Sequence, residues 1–170
     1  MNAKDAELLI QQLGVLVVDD NPFMRKMVRN LLGNIGVKKT FEAGDGIAAL
    51  ELIRTVNPDI IILDWEMPLL NGPELVRIVR SPGVFPTPDI PIIMLTAHGE
   101  HWRIVESVKL GVNEFLCKPV SAKALYDRLI SILLKPRESV RLGKYYGPAP
   151  RTQVLKTKLE SSADLSPTVD

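Results

Sequence analysis

The 170-residue chain contains one cysteine, Cys117, so no internal disulfide can form and a disulfide-stapled secreted scaffold is excluded. A reducing compartment follows, and the cytoplasm is the expected location. No apolar run approaches the roughly 20 residues that a membrane helix needs. The segment from Met1 to Gly14 carries Asp5 and Glu7 and only a short apolar patch, which fits neither a signal peptide nor a transit peptide. Histidine is scarce as well: His98 and His101 stand three apart, and no further metal ligands lie near them in sequence. A phosphate-cradling loop is missing, because Gly44-Asp45-Gly46 has neither the spacing nor the lysine of a P-loop. A dominant charge is missing too. The net charge is +1, with 14 Lys/Arg against 16 Asp/Glu over residues 1–134 and 7 against 4 over 135–170. Neither part demands nucleic acid, and the C-terminal stretch is too short and too poorly periodic for a helix-turn-helix domain.

What the chain does have is an alternation of short apolar runs with amphipathic stretches, the pattern of βαβ units and a parallel sheet. Val15–Val18, Lys39–Ala43, Ile60–Leu63, Ile92–Leu95 and Glu114–Cys117 read as strands. The first, third and fourth are apolar throughout, as strands covered on both faces require, and the second and fifth read as edges. Pro22–Asn34, Gly46–Val56, Gly72–Arg80, Glu100–Leu110 and Ala122–Leu134 carry apolar residues at helical spacing. Asn21 before Pro22, Asn71 and Ser121 are start signals, and Gly36 and Gly111 stand where helices end. Five βα repeats therefore occupy residues 14–134, as an α/β doubly wound five-stranded parallel sheet with helices on both faces. Residues 1–13 form a short extension in which Ala6–Leu13 can make one helix. The stretch 81–91, with prolines at 82, 86, 88 and 91, reads as a surface connection. Residues 135–170 read as a basic, Pro/Gly-punctuated tail, expected to be extended and solvated.

In a sheet of this kind the reactive crevice opens at the C-terminal ends of the strands. Asp19 and Asp20 follow the first strand, Asp64 ends the third, Thr96 ends the fourth and Lys118 follows the fifth, so the five side chains converge. Three clustered carboxylates repel one another unless a cation or proton intervenes, and an all-oxygen site of this size suits Mg²⁺ with several waters. A carboxylate is a feasible nucleophile toward phosphorus, since phosphoryl transfer is mainly positioning and charge neutralisation. Lys118 can supply an ammonium and Thr96 a hydroxyl to the phosphoryl oxygens. Cys117, inside a strand, reads as a small hydrophobe and not as a nucleophile.

The motifs Val15-Leu-Val-Val-Asp19-Asp20-Asn21, Asp59-Ile-Ile-Ile-Leu-Asp64-Trp65-Glu66-Met67-Pro68 with Asn71-Gly72, Ile92-Ile-Met-Leu-Thr96-Ala97 and Phe115-Leu-Cys-Lys118-Pro119 follow one another in order. From about Gly14 to Leu134 this text resembles the receiver domains of two-component response regulators, in particular the single-domain chemotaxis type. The resemblance implies a flavodoxin-like sheet of strand order 2-1-3-4-5 and a phosphoacceptor signalling protein, not an enzyme, that assists its own phosphoryl transfer and dephosphorylation. It makes Asp64 the phosphoacceptor. Mg²⁺ is then held by the carboxylates of Asp20 and Asp64 and the backbone carbonyl of Glu66, with Asp19 acting through a bound water. Lys118 and Thr96 contact the phosphoryl group, a cis peptide precedes Pro119, and Thr96 and Phe115 form the switch. Phe115 departs from the tyrosine common at that position in chemotaxis members. The implied partners are a histidine kinase or phosphotransfer protein as donor and a downstream protein target, with no membrane and no nucleic acid. Homodimerisation through the fourth and fifth helices of the repeats and the strand between them is common in that family.

Overall fold

The computed structural model describes residues 2–97 and 101–151. Its elements run α1 (Ala3–Gln12), β1 (Gly14–Val18), α2 (Pro22–Ile35), β2 (Lys39–Ala43), α3 (Gly46–Val56), β3 (Ile60–Asp64), α4 (Gly72–Val79), β4 (Ile92–Thr96), α5 (His101–Leu110), β5 (Glu114–Cys117), α6 (Ala122–Leu134), β6 (Ser139–Leu142) and β7 (Tyr145–Pro148). Five parallel strands form one sheet in the order β2-β1-β3-β4-β5, the flavodoxin-like order. β1, β3 and β4 are buried at every position, whereas the edge strand β5 alternates buried with half-buried positions and β2 is buried only at Ala43.

Successive residues of a strand face opposite sides, so each apolar run feeds two cores. On one side Leu16, Val18, Ile61, Leu63, Ile92 and Met94 pack against Ala49 and Ile53 of α3 and Leu75, Val76 and Val79 of α4. On the other, Val15, Val17, Ile60, Ile62, Ile93 and Leu95 meet Val28 and Leu32 of α2 and Leu125 and Leu129 of α6. α1 closes this second core by inserting Ile10. The helix boundaries obey the capping chemistry of the sequence. Asn21 accepts hydrogen bonds from the amides of Phe23 and Met24, Asn71 and Glu74 form a reciprocal capping box, and Ser121 accepts from Ala124. Gly36 ends α2 in the left-handed region at φ 113°.

The connection 81–91 is anchored by Arg80, which is 6% exposed. Its guanidinium donates to the carbonyls of Gly111, Pro88 and Ile90 and to the Asn113 side chain at 2.7–2.9 Å. Burial pushes its pKa down to about 10.

One expectation fails. Residues 135–151 are not an extended, solvated tail. β6 and β7 pair as an antiparallel hairpin, with Val140 opposite Gly147 and Leu142 opposite Tyr145, and β7 packs against α5. The physical reason is local pairing around the Leu142-Gly143-Lys144-Tyr145 turn, together with burial of Tyr145 and Pro148. His98, Gly99, Glu100 and residues 152–170 lie outside the described residues, and so does the expected helix start at Glu100. No described helix is long and apolar enough to cross a membrane.

Candidate functional site

The sheet order brings the C-terminal ends of β1, β3, β4 and β5 side by side. β1 pairs with β3 with Val18 opposite Leu63, which sets the residues just beyond, Asp19 and Asp64, next to one another. Carboxylate oxygens of Asp19, Asp20 and Asp64 all lie within 4.8 Å of one another. Lys118, at the end of β5, reaches the same point: its Nζ stands 2.7 Å from Asp64 Oδ1 and 3.6 Å from Asp19 Oδ2. The Lys118–Pro119 peptide is cis. Thr96 lies one residue past the Leu95 that registers with Asp64, and it is fully buried. Its hydroxyl contacts Cys117 Sγ at 3.8 Å, and its carbonyl accepts from the Lys118 amide. Phe115 pairs with Met94 in the register of β4 and β5, so it shares a sheet face with Thr96.

Two of the acids are nearly sealed from water. Asp19 is 2% and Asp64 6% exposed, whereas Asp20 is open to solvent. Asp19 Oδ1 accepts from the Asn21 amide at 2.9 Å, and Arg25 Nη1 donates to the Asp19 carbonyl at 2.7 Å. Asp19 Oδ2, by contrast, is buried without a hydrogen-bond partner among the described residues. Burial raises the pKa of both Asp19 and Asp64, and Lys118 opposes that rise incompletely. Burial also acts against the Lys118 ammonium, yet its hydrogen bond and attraction to Asp64, with Asp19 adding to it, leave its pKa above the ordinary value. Three carboxylates facing one ammonium leave an excess of negative charge and an orphaned buried oxygen. That is the donor set a hard cation fits.

The loop after β3 forms one wall of the cleft, lined by Asp20, Trp65, Glu66, Met67, Pro68 and Asn71. The Glu66 side chain pairs with the buried Arg103 of α5, a residue that motif reading did not single out. The Arg103 guanidinium lies 5.2 Å from the Trp65 ring and 5.4 Å from Trp102, and the two indoles meet edge to face at 5.8 Å. Their nearness depends on the helical turn of α5 that faces the loop, which periodicity did not specify. His101 is exposed, and the described residues contain no cluster of metal-ligating side chains other than the three aspartates.

Comparison with known proteins agrees with this geometry. Residues 15–130 match the family model described as the response regulator receiver domain. The chain is 34% identical to the chemotaxis protein CheY-3 of Vibrio cholerae over 125 residues, covering 74% of this chain and 95% of that protein. It is 38% identical to the chemotaxis protein CheY1 of Helicobacter pylori over 120 residues, covering 70% and 95% of the two chains. Among solved structures it is similar to the receiver domain of the sensor histidine kinase PA1611 of Pseudomonas aeruginosa, with a TM-score of 0.61, 27% identity and coverage of 69% and 94%. That structure has a magnesium ion coordinated in its active-site cleft.

Proposed function

The chain belongs to the response-regulator receiver domain family of two-component signalling, and from that membership we propose that it is a phosphorylation switch with Asp64 as its phosphoacceptor. The observation that carries this reading is the salt-bridged carboxylate of Asp64, 2.7 Å from Lys118 and within 4.8 Å of two further aspartates.

The carboxylates of Asp20 and Asp64 and the Glu66 carbonyl would hold Mg²⁺, with Asp19 acting through a water, and the ion when bound neutralises phosphoryl oxygens. The chain's own groups do the rest. An Asp64 carboxylate oxygen attacks the phosphorus of a phosphohistidine on a histidine kinase or phosphotransfer protein. The new O–P bond forms as the P–N bond breaks, and the imidazole leaves. Lys118 gives up its contact with Asp64 and pairs with a phosphoryl oxygen, and the Thr96 hydroxyl donates to another. Hydrolysis by water later returns Asp64 to its free state, aided by the same groups, so the protein assists its own dephosphorylation without turning over an external substrate. As Thr96 moves toward the phosphoryl group, the space it vacates admits the Phe115 ring, and the face around α5 and β5 changes shape for a downstream protein target. The cytoplasm is the setting consistent with such partners.

Incubation with Mg²⁺ and a small acyl phosphate donor should give a phosphoryl adduct by intact-mass spectrometry that Asp64→Asn removes. An adduct that survives Asp64→Asn would contradict the assignment.

A further inference from the structure

The receiver-domain family model matches residues 15–130, and the hairpin lies beyond that span. It is a pair of four-residue strands, and a two-stranded ribbon of that size is marginal in water unless it packs on something. What it packs on is the start of β5 and the helix before it.

Three consecutive residues at that point are held by the hairpin and its flanks. Arg137 Nη2 donates to the Asn113 carbonyl at 2.6 Å, while its Nη1 donates to the Ala149 carbonyl at 3.0 Å and so ties both ends of the hairpin together. Arg151 pairs with the buried carboxylate of Glu114, which also accepts from the Ser131 hydroxyl of α6 at 2.8 Å. Phe115, with Val108 and Val112, forms one wall of a groove whose other wall is Tyr145, Pro148 and Pro150. The main chains also touch. A Cβ on Gly111, whose φ is 94°, would lie 2.7 Å from the Tyr146 carbonyl, and one on Gly147 would lie 2.7 Å from Gly111 Cα. Tyr146 donates its hydroxyl to Asp89, which fixes the outer edge.

β5 is only four residues long. Its far end delivers Lys118 to Asp64, and its near end is held by Arg137 and Arg151. The ring proposed to turn inward on phosphorylation lines the same groove as Pro148, Pro150 and Arg151.

We propose that the α5–β5–α6 face is an intramolecular docking surface whose occupant is the chain's own residues 137–151, and that phosphorylation of Asp64 loosens this docking. The inference rests on the phosphorylation reading above. Turning Phe115 toward Thr96 removes an apolar wall of the groove, so the segment loses contact area and the face opens to an external partner. Coupling of this kind is reciprocal: the factor by which the phosphorylated site weakens docking is the factor by which a fully undocked hairpin raises the site's affinity for the phosphoryl mimic.

The test is amide hydrogen exchange of the full chain, followed by mass spectrometry, with Mg²⁺ alone and with Mg²⁺ plus beryllofluoride as phosphoryl mimic. Exchange in peptides spanning 137–151 should accelerate on the order of fivefold or more, while peptides around Asp64 and Lys118 become protected. Protection at the site with unchanged hairpin exchange would overturn the inference and leave the phosphorylation reading standing. No protection at the site would overturn both. Reciprocity supplies the second arm. Gly147→Ala, which crowds Gly111, and Arg151→Gln, which removes the ion pair without adding bulk, should each accelerate hairpin exchange, and the double variant, once its hairpin amides exchange at the unprotected rate, should bind beryllofluoride on the order of fivefold tighter. A fully exchanging hairpin with unaltered affinity would also overturn it.

Discussion

Asp64 is held in a form that costs the fold something. Its carboxylate is buried, faces Asp19 and Asp20, and has one ammonium to offset them. Neutralising it should therefore stabilise the protein: Asp64→Asn in the absence of divalent cation is expected to raise the melting temperature by about 2–4 °C, the shift that ~1 kcal/mol makes in a domain of this size. A lower melting temperature by calorimetry would contradict the charge imbalance. Lys118 does the opposite work. A hydrogen bond to a charged group is worth about 1.5–3 kcal/mol, so Lys118→Ala should slow phosphorylation from a small acyl phosphate about 10- to 100-fold, measured as the rate of adduct formation. The meeting of Asp19, Asp20, Asp64 and Lys118 was legible in the sequence because each stands at the C-terminal end of a strand. The Glu66–Arg103 pair and the indoles stacked on it were not. Glu66 enters the sequence reading only through its backbone carbonyl, and only the setting of α5 shows that its side chain pairs with Arg103.

At the scale of elements, the division into central and edge strands was readable because Val15–Val18, Ile60–Leu63 and Ile92–Leu95 are apolar on both faces, which leaves Lys39–Ala43 and Glu114–Cys117 for the edges, while the order of the strands came from the family resemblance. The hairpin was not readable. Gly143, Gly147, Pro148 and Pro150 punctuate a ribbon and an unstructured tail alike, and its pairing is decided by Tyr145, Arg137 and Arg151 docking on residues far away in sequence. Arg80 is the joint between the hairpin's platform and the 81–91 connection. Arg80→Ala would leave the carbonyls of Gly111, Pro88 and Ile90 without their donor, and should destabilise the protein by about 2–4 kcal/mol in urea titrations. A loss under ~0.5 kcal/mol would show that water replaces it. The hairpin's outer contact depends on pH. The hydrogen bond from Tyr146 holds the Asp89 carboxyl below its ordinary 3.8. An acid with a depressed folded-state pKa contributes stability fully above its unfolded value and loses it as pH falls through the folded one. The difference in hairpin exchange between wild type and Tyr146→Phe should thus be constant well above the ordinary 3.8 and shrink as pH falls below it. A difference that persists in acid would place the contact's value in packing, not charge.

The described residues form a doubly wound sheet with a charged cleft at one rim and a hairpin clamped near the opposite end of β5. With residues 145–151 lying across part of the α5–β5–α6 face, homodimerisation through that face requires the hairpin to yield. Dimers are accordingly expected only with the phosphoryl mimic bound, if that face is the one used. The switch depends on a single covalent event at the proposed phosphoacceptor, Asp64. Treating the full chain with an acyl phosphate in Mg²⁺ or in chelator, reducing it with borohydride and mapping the peptides by mass spectrometry tests that event most directly. The account predicts one modified residue, a homoserine in place of the aspartate at position 64, formed only with the divalent cation. Modification at another residue, or equal labelling in chelator, would contradict it.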